Sequence, residues 1–230
     1  MCSNSPRRAW HGAEVRLMLG DGYKAAPMKL YITEGSPYAR FVRVVILEKG
    51  LANRVEIIAA PTRTANSPYY QINPSGRVPY LIREDGVGLE ESSLICAYLD
   101  RLEGNAVFDW PAGDAGWEAR RLDALARSLM DGLAVWSREI ARPPDERSPT
   151  VLAHETQRSR RMTDLWESQI DCALMRGTLN PAQITLACAL GLEARNPDLQ
   201  WRPGHPQLCA WFDCIAARPS FAATAPPARR

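Results

Sequence analysis

Apolar residues along this chain recur with two periods, and the period changes near residue 112. Before that point, short alternating runs are interleaved with helical spacing. Lys29 to Thr33 (KLYIT) alternates and predicts a strand. Ser36-Pro37 reads as a helix start, with Ser at the N-cap and Pro at the first helical position. Phe41, Val44, Val45 and Leu47 give this helix an apolar face, and Lys49-Gly50 closes it. Val55 to Ala59 (VEIIA) predicts a second strand. Strand, helix and strand of this length form a βαβ unit, which forces parallel pairing through a right-handed crossover. Pro61 to Asn73 is a longer connection with room for a short helix. Val78 to Ile82 and Val87 to Leu89 flank Asp85-Gly86, a turn signal, and predict a hairpin. Pro79 stands at the start of its strand, where a missing N–H is tolerated. A helix from Ser92 to about Leu102 completes the order βαβ, then ββα.

Beyond residue 112 no strand pattern recurs. Leu122, Leu125, Leu129, Leu133, Trp136 and Ile140 follow helical spacing and predict a long helix over 114–142, ended by Pro143-Pro144. Met162, Leu165, Trp166, Ile170 and Leu174 predict a second long helix over 150–175. Asn180-Pro181-Ala182-Gln183 is a variant of the capping box. The helix behind it, ITLACALGL, is apolar nearly all round and is expected to be buried. Leu208, Trp211, Phe212 and Ile215 predict a last amphipathic helix. The chain therefore divides into a small α/β domain, 28–107, and an all-helical domain, 112–230, joined near Gly104 to Gly113.

Residues 1–27 are read as an appendage. Two arginines stand near the start, but His11, Glu14 and Arg16 interrupt what would be the apolar run of a signal peptide. A disordered tail or an upstream start site is one reading of this segment, and a targeting or interaction arm is the other.

Composition narrows the chemistry. With 46% apolar and 23% charged residues, the 230-residue chain is that of a soluble globular protein. No stretch approaches the roughly 18 apolar residues that span a bilayer. A net charge of +2 gives no field that would argue for nucleic acid. The six cysteines form no CxxC pair and have no histidine at metal spacing, so they read as reduced cytosolic thiols and no metal is expected.

On this layout the residues resemble the glutathione transferase superfamily over about 28–226. GSPYARFVRV resembles its thiol-facing first loop and helix, NPSGRVPYL its cis-proline segment, and LEESSLICAYL its glutathione-anchoring helix start. HPQLCAWFDCIAARPSFAAT resembles its closing pattern. The stretch RRLDALARSLMDGL…REIARP looks like a branch of small bacterial members. The resemblance implies a thioredoxin-like N-terminal domain, an all-α C-terminal domain, glutathione as co-substrate and a small-molecule electrophile as partner. It also implies a homodimer, a cytoplasmic setting and a role of the detoxification kind, with no nucleic-acid or membrane partner.

It further implies site residues. Ser36 matches the position of the activating group. Its hydroxyl lies at a helix N-terminus, where the macrodipole favours an anion, and Arg40 and Arg43 add positive charge within two turns. A plain N-cap is the other reading, and both roles can coexist, because a hydroxyl can accept from the backbone while donating to a thiolate. Val78, before the cis-proline Pro79, would pair with the cysteinyl backbone of glutathione. Glu91 would take its α-amino group, while Ser92 would cap its helix and bind the adjoining carboxylate. Tyr38 could line the thiol site or pack in the core. Arg77 could face a carboxylate or solvent, with solvent favoured. For the electrophile side, Met130, Leu133, Ala134, Trp136 and Arg138 lie on the long helix, though core packing accounts better for any single one. SPYA also resembles the CPYC loop of glutaredoxins with both cysteines replaced, which removes thiol–disulfide exchange through a protein cysteine. The alternatives to transfer are a non-catalytic binding or regulatory protein of this fold and a glutathione-dependent disulfide or peroxide reductase.

Overall fold

The computed structural model describes residues 27–104, 106–108 and 112–228. The reading of residues 1–27 as an appendage falls, Pro27 apart, outside them. Strand β1 (Met28–Ile32) buries Met28, Leu30 and Ile32 and exposes Lys29, as its alternation requires. Helix α1 (Pro37–Glu48) starts at the Ser36 N-cap. It ends at Gly50, whose φ of +66° only glycine adopts freely; Leu51 N–H returns to the Ile46 carbonyl at 2.9 Å. Strand β2 (Val55–Ala59) lies parallel to β1, with Met28 opposite Val55 and Ile32 opposite Ala59. The long connection does hold a short helix, α2 (Tyr69–Ile72).

Strand β3 (Tyr80–Ile82) runs antiparallel to β1 with Leu81 opposite Leu30, and β4 (Gly88–Glu90) runs antiparallel to β3. The sheet order is β2-β1-β3-β4. Pairing starts at Tyr80 rather than at Val78, because Pro79 has no N–H for the ladder. Helix α3 (Ser92–Asp100) follows β4 directly.

The rest is helical. Helix α4 (Gly113–Ile140) is followed by α5 (Pro149–Gln169), α6 (Ala173–Arg176) and α7 (Pro181–Leu190). A tight turn at Gly191–Arg195 then leads to α8 (Pro206–Ala216) and α9 (Pro219–Ala223). The second long helix expected over 150–175 is therefore broken after Gln169. No glycine or proline marks this break. Tertiary donors make it tolerable: Gln183 Nε2 donates to the carbonyls of Leu174, Met175 and Gly177, and Trp211 Nε1 donates to Met175 at 2.8 Å.

All ten residues of α7 are buried, and its capping box is complete: Asn180 Oδ1 accepts from Gln183 N–H while Gln183 Oε1 accepts from Asn180 N–H, each at 3.1 Å. The amide of Gln183 thus accepts at the cap and donates to the preceding loop, which a carboxylate in its place could not do.

Apolar residues of both halves form one continuous cluster, from Met28 and Phe41 through Leu129, Trp166 and Ile184 to Phe221. At one of 25–30 cal/mol per Å² removed from water, burial of this kind dominates the folding free energy. The cluster seats α4 and α7 beside α1 and α3, so the ends of α1 and α3 face the middle of α4 across a cleft. Among the described residues, no helix is long and apolar enough to cross a membrane, and no group of His, Cys, Asp and Glu is placed to hold a metal ion.

Candidate functional site

The cleft is a cavity of about 1140 Å³ between the sheet and α4. Ser36, Tyr38, Val78, Pro79, Glu91 and Ser92 all line it. Local structure explains how each arrives there. Ser36 is half-buried at the head of α1. Its Oγ accepts from Ala39 N–H at 3.2 Å, which leaves its own hydrogen free to donate into the cavity.

The loop before β3 is fixed by Asn73, only 2% exposed, and by Tyr69. Asn73 Nδ2 and the Tyr69 hydroxyl both donate to the Arg77 carbonyl, at 3.1 and 2.5 Å. Gly76 adopts a φ of +66° with the Tyr70 ring against its Cα, so a side chain there would meet both strain and a clash. The Val78-Pro79 bond is cis. The loop is thereby presented to the cavity, and exposed Arg77 lines it as well rather than facing solvent alone.

Glu91 and Ser92 depart from the expected register. The N-cap of α3 is Glu91, with φ +78° and ψ 119°, and Ser92 is the first helical residue. Ser92 therefore does not cap its helix with its side chain. Its Oγ, buried, accepts instead from Arg127 Nη1 at 3.2 Å and donates to Glu91 Oε1 at 3.3 Å. Arg127 lies on α4. Its Nε donates to Asp123 Oδ2 at 2.8 Å, its guanidinium stands 5.0 Å from the centre of the Phe41 ring, and Asp123 Oδ1 accepts from Thr185 at 2.7 Å. A polar chain thus runs from the cavity edge through α4 to α7. The conformation of Glu91 is one a non-glycine residue holds at a cost of about 1–3 kcal/mol, and such outliers cluster at functional sites.

Two expectations are corrected here. Arg40 and Arg43 do not add positive charge at Ser36. Arg40 is buried, donates to the Phe221 carbonyl at 3.1 Å and lies over the Phe221 ring, while Arg43 reaches the Ala223 carbonyl. Both tie α1 to the C-terminal segment. On α4, Ala134 and Arg138 line the cavity, but Met130, Leu133 and Trp136 are buried core residues.

The structure adds residues that sequence reasoning missed. Asp131, one helical turn before Arg138, accepts a short hydrogen bond from the Tyr38 hydroxyl. Burial, reinforced by this bond, pushes the Tyr38 phenol above its ordinary pKa, so it is a neutral donor already committed to Asp131. Arg195, from the turn after α7, lies against Gly35: a Cβ added there would stand 2.8 Å from its Cζ. No local pattern marks Arg127, Asp131 or Arg195, because each acts across the interface between the two halves.

Cysteine is absent from the cavity lining among the described residues. Cys96 and Cys188 are buried, and burial pushes both thiols up to about 12, so neither is a thiolate near neutrality. The site offers a hydroxyl donor, an acid beside a hydroxyl and an exposed strand edge to whatever binds it.

Comparison with known proteins places this geometry. The family described as Glutathione S-transferase, N-terminal domain, matches residues 30–106. The chain is similar to the uncharacterized GST-like protein YibF of Escherichia coli (strain K12), with 32% identity over 202 residues, 87% of this chain and 99% of that one. It is similar to glutathione S-transferase 3 of Zea mays, with 30% identity over 217 residues, 86% of this chain and 93% of that one. Among solved structures, a glutathione transferase family member from Pseudomonas fluorescens Pf-5 with bound glutathione aligns at a TM-score of 0.78 and 36% identity, covering 87% of this chain and 99% of that one. A second crystal structure, with bound S-(propanoic acid)-glutathione, aligns at 0.74 and 37% identity, covering 86% and 99%. From this likeness along nearly the whole of its relatives' length, the chain belongs to the glutathione transferase family.

Proposed function

We propose that this protein is a glutathione transferase that activates the glutathione thiol through Ser36 for attack on a small electrophile. One observation carries the reading: a free hydroxyl donor at a helix N-terminus shares one cavity with the Glu91-Ser92 pair and the Val78 strand edge. A bound glutathione would set its α-ammonium on Glu91 and the adjoining carboxylate on Ser92. Arg127 only donates, so the Ser92 hydroxyl accepts from it and keeps its own hydrogen for a carboxylate oxygen. The cysteinyl backbone would pair with Val78 as an added strand.

The sulfur then lies near Ser36. Only the thiolate is a good nucleophile, and a free cysteine thiol ionises at a pKa of about 8.5. A hydrogen bond from Ser36 Oγ and the positive end of α1 both favour the anion. The thiol proton passes to solvent, and the sulfur forms the new bond to the electrophilic carbon. Tyr38 is poorly suited to this task, because its hydroxyl is committed to Asp131. The relative from Pseudomonas fluorescens supports the reading, since glutathione and a glutathione S-adduct occupy its crystals. The lack of a cavity cysteine favours transfer over exchange through a protein disulfide.

The test is the ultraviolet absorbance of the bound thiolate against pH, in the intact protein and in Ser36→Ala and Ser36→Gly. The bound thiol is expected to titrate at least one unit below free glutathione, and to return toward the free value in both variants. One unit corresponds to 1.36 kcal/mol, about tenfold in thiolate fraction. Glycine retains most of the helix cap, so equal losses in the two variants assign the effect to the hydroxyl. An unchanged titration in both would remove Ser36 as the activating group.

A further inference from the structure

The wall of the cavity opposite the Glu91-Ser92 pair is not the apolar surface that an uncharged electrophile would want. It carries two guanidiniums, Arg138 from α4 and Arg195 from the turn after α7. Arg195 lies on Gly35, so its charge is one residue from Ser36. Its Nη1 donates to the Pro227 carbonyl at 3.1 Å, which uses one of five N–H donors. Arg138 stands near enough to Tyr38 to act on its phenol electrostatically.

Neither arginine forms an ion pair with a carboxylate among the described residues, whereas Arg54, Arg127, Arg176, Arg202 and Arg218 each do. The one carboxylate on this wall, Asp131, is engaged by the Tyr38 hydroxyl. Beside the two cations the lining is short: Ala134, Val135 and Leu192. Two guanidiniums with donors to spare, over a small apolar floor, are a recognition site for a carboxylate on a short chain.

We propose that the electrophile carries a carboxylate, held by Arg138 and Arg195, with its reactive carbon one or two bonds away. This inference rests on the glutathione reading, because the arginines face the end of the cavity where the sulfur would lie. For a short halocarboxylate the step is a displacement. The thiol proton has gone to solvent, the sulfur–carbon bond forms, the carbon–halogen bond breaks, and halide leaves with the electron pair. The two cations offset the repulsion between the thiolate and the incoming carboxylate, and they orient the chain for attack.

The experiment is calorimetric titration of three ligands: glutathione, S-(2-carboxyethyl)glutathione and its amide isostere S-(2-carbamoylethyl)glutathione. The intact protein is expected to bind the carboxylate adduct at least tenfold more tightly than the amide. In Arg138→Gln and Arg195→Gln the ratio of the two affinities is expected to fall below threefold in at least one variant. This ratio is insensitive to a general loss of affinity or of folded protein. If glutathione binds and the two adducts bind within twofold of each other, the inference on the electrophile is overturned and the glutathione reading stands. A ratio that survives both substitutions, with a bound glutathione thiol that becomes less acidic, would assign the arginines to the sulfur and overturn the inference too. If glutathione itself does not bind, the reading beneath fails and this one falls with it.

Discussion

Arg127→Met removes the centre of the polar chain that links the cavity edge to the helical half. The side chains of Arg127 and Asp123 are 19% and 9% exposed, and their ion pair is 2.8 Å long. Breaking a buried pair from one side costs about 3–5 kcal/mol, because the remaining charge is left uncompensated. Partial exposure of the arginine puts the expected loss near the low end, about 3 kcal/mol. Loss of the contact with the Phe41 ring adds about 0.5–1 kcal/mol at a site of this kind.

The double variant Arg127→Met/Asp123→Asn removes the stranded charge and keeps an acceptor for Thr185, so it is expected to be more stable than the single one. Urea denaturation at neutral pH, read as a change in midpoint at constant slope, measures both. A second effect follows at the site. Ser92 loses the donor that fixes its hydroxyl, and a hydrogen bond of this kind contributes about 0.5–1.5 kcal/mol. Glutathione affinity is therefore expected to weaken by about two- to tenfold. A single variant that loses less than about 1 kcal/mol, or a double variant no more stable than the single, would refute the reasoning that this network is a stressed, interdependent unit.

Two further outcomes follow from other contacts. Burial pushes the Glu48 carboxyl up, but hydrogen bonds from Arg218 and Ser220 outweigh it and hold the group below its ordinary value of 4.5. The stability this contributes is full above that value and is lost as pH falls through the lower folded value. Glu48→Gln is thus expected to be less stable at neutral pH, with the gap to the parent closing below about pH 4.5 in a series of urea midpoints; a gap that stays constant to lower pH would contradict it. Glu167 on α5 accepts from the N–H groups of Gln207 and Leu208, at 3.0 and 2.8 Å, and so caps α8 from outside. Glu167→Ala is expected to cost about 1 kcal/mol, as the loss of an N-cap does. That is a fall in Tm of about 2–4 °C for a chain of this size, and an unchanged Tm would deny the cap.

The contacts behind these outcomes also mark where the sequence was legible. Period and turn chemistry specified the elements, because Met28, Leu30 and Ile32 alternate, the face of α1 repeats with helical spacing, and Asn180 and Gln183 cap α7 with neighbours in the chain. The residues that resemble the family brought six positions together on one cavity, but local pattern alone could have left Ser36 and Ser92 as caps. What escaped was docking between the halves. Ser92 meets Arg127 and Gly35 meets Arg195 across long stretches of chain, and no spacing rule encodes such a meeting. The same cause turned Arg40 and Arg43 toward Phe221 and Ala223, where buried carbonyls needed donors. It also allowed the helix after Pro149 to break where Gln183 and Trp211 could satisfy the freed carbonyls.

The central claim is that the cavity holds glutathione, with its α-ammonium on Glu91. Calorimetric titration of glutathione into the intact protein and into Glu91→Gln tests it most directly. Replacing the carboxylate by its isosteric amide removes a charge-assisted hydrogen bond worth about 1.5–3 kcal/mol. The account predicts saturable binding by the intact protein, weakened by at least tenfold in the variant. Equal affinities, or no binding by the intact protein, would contradict it.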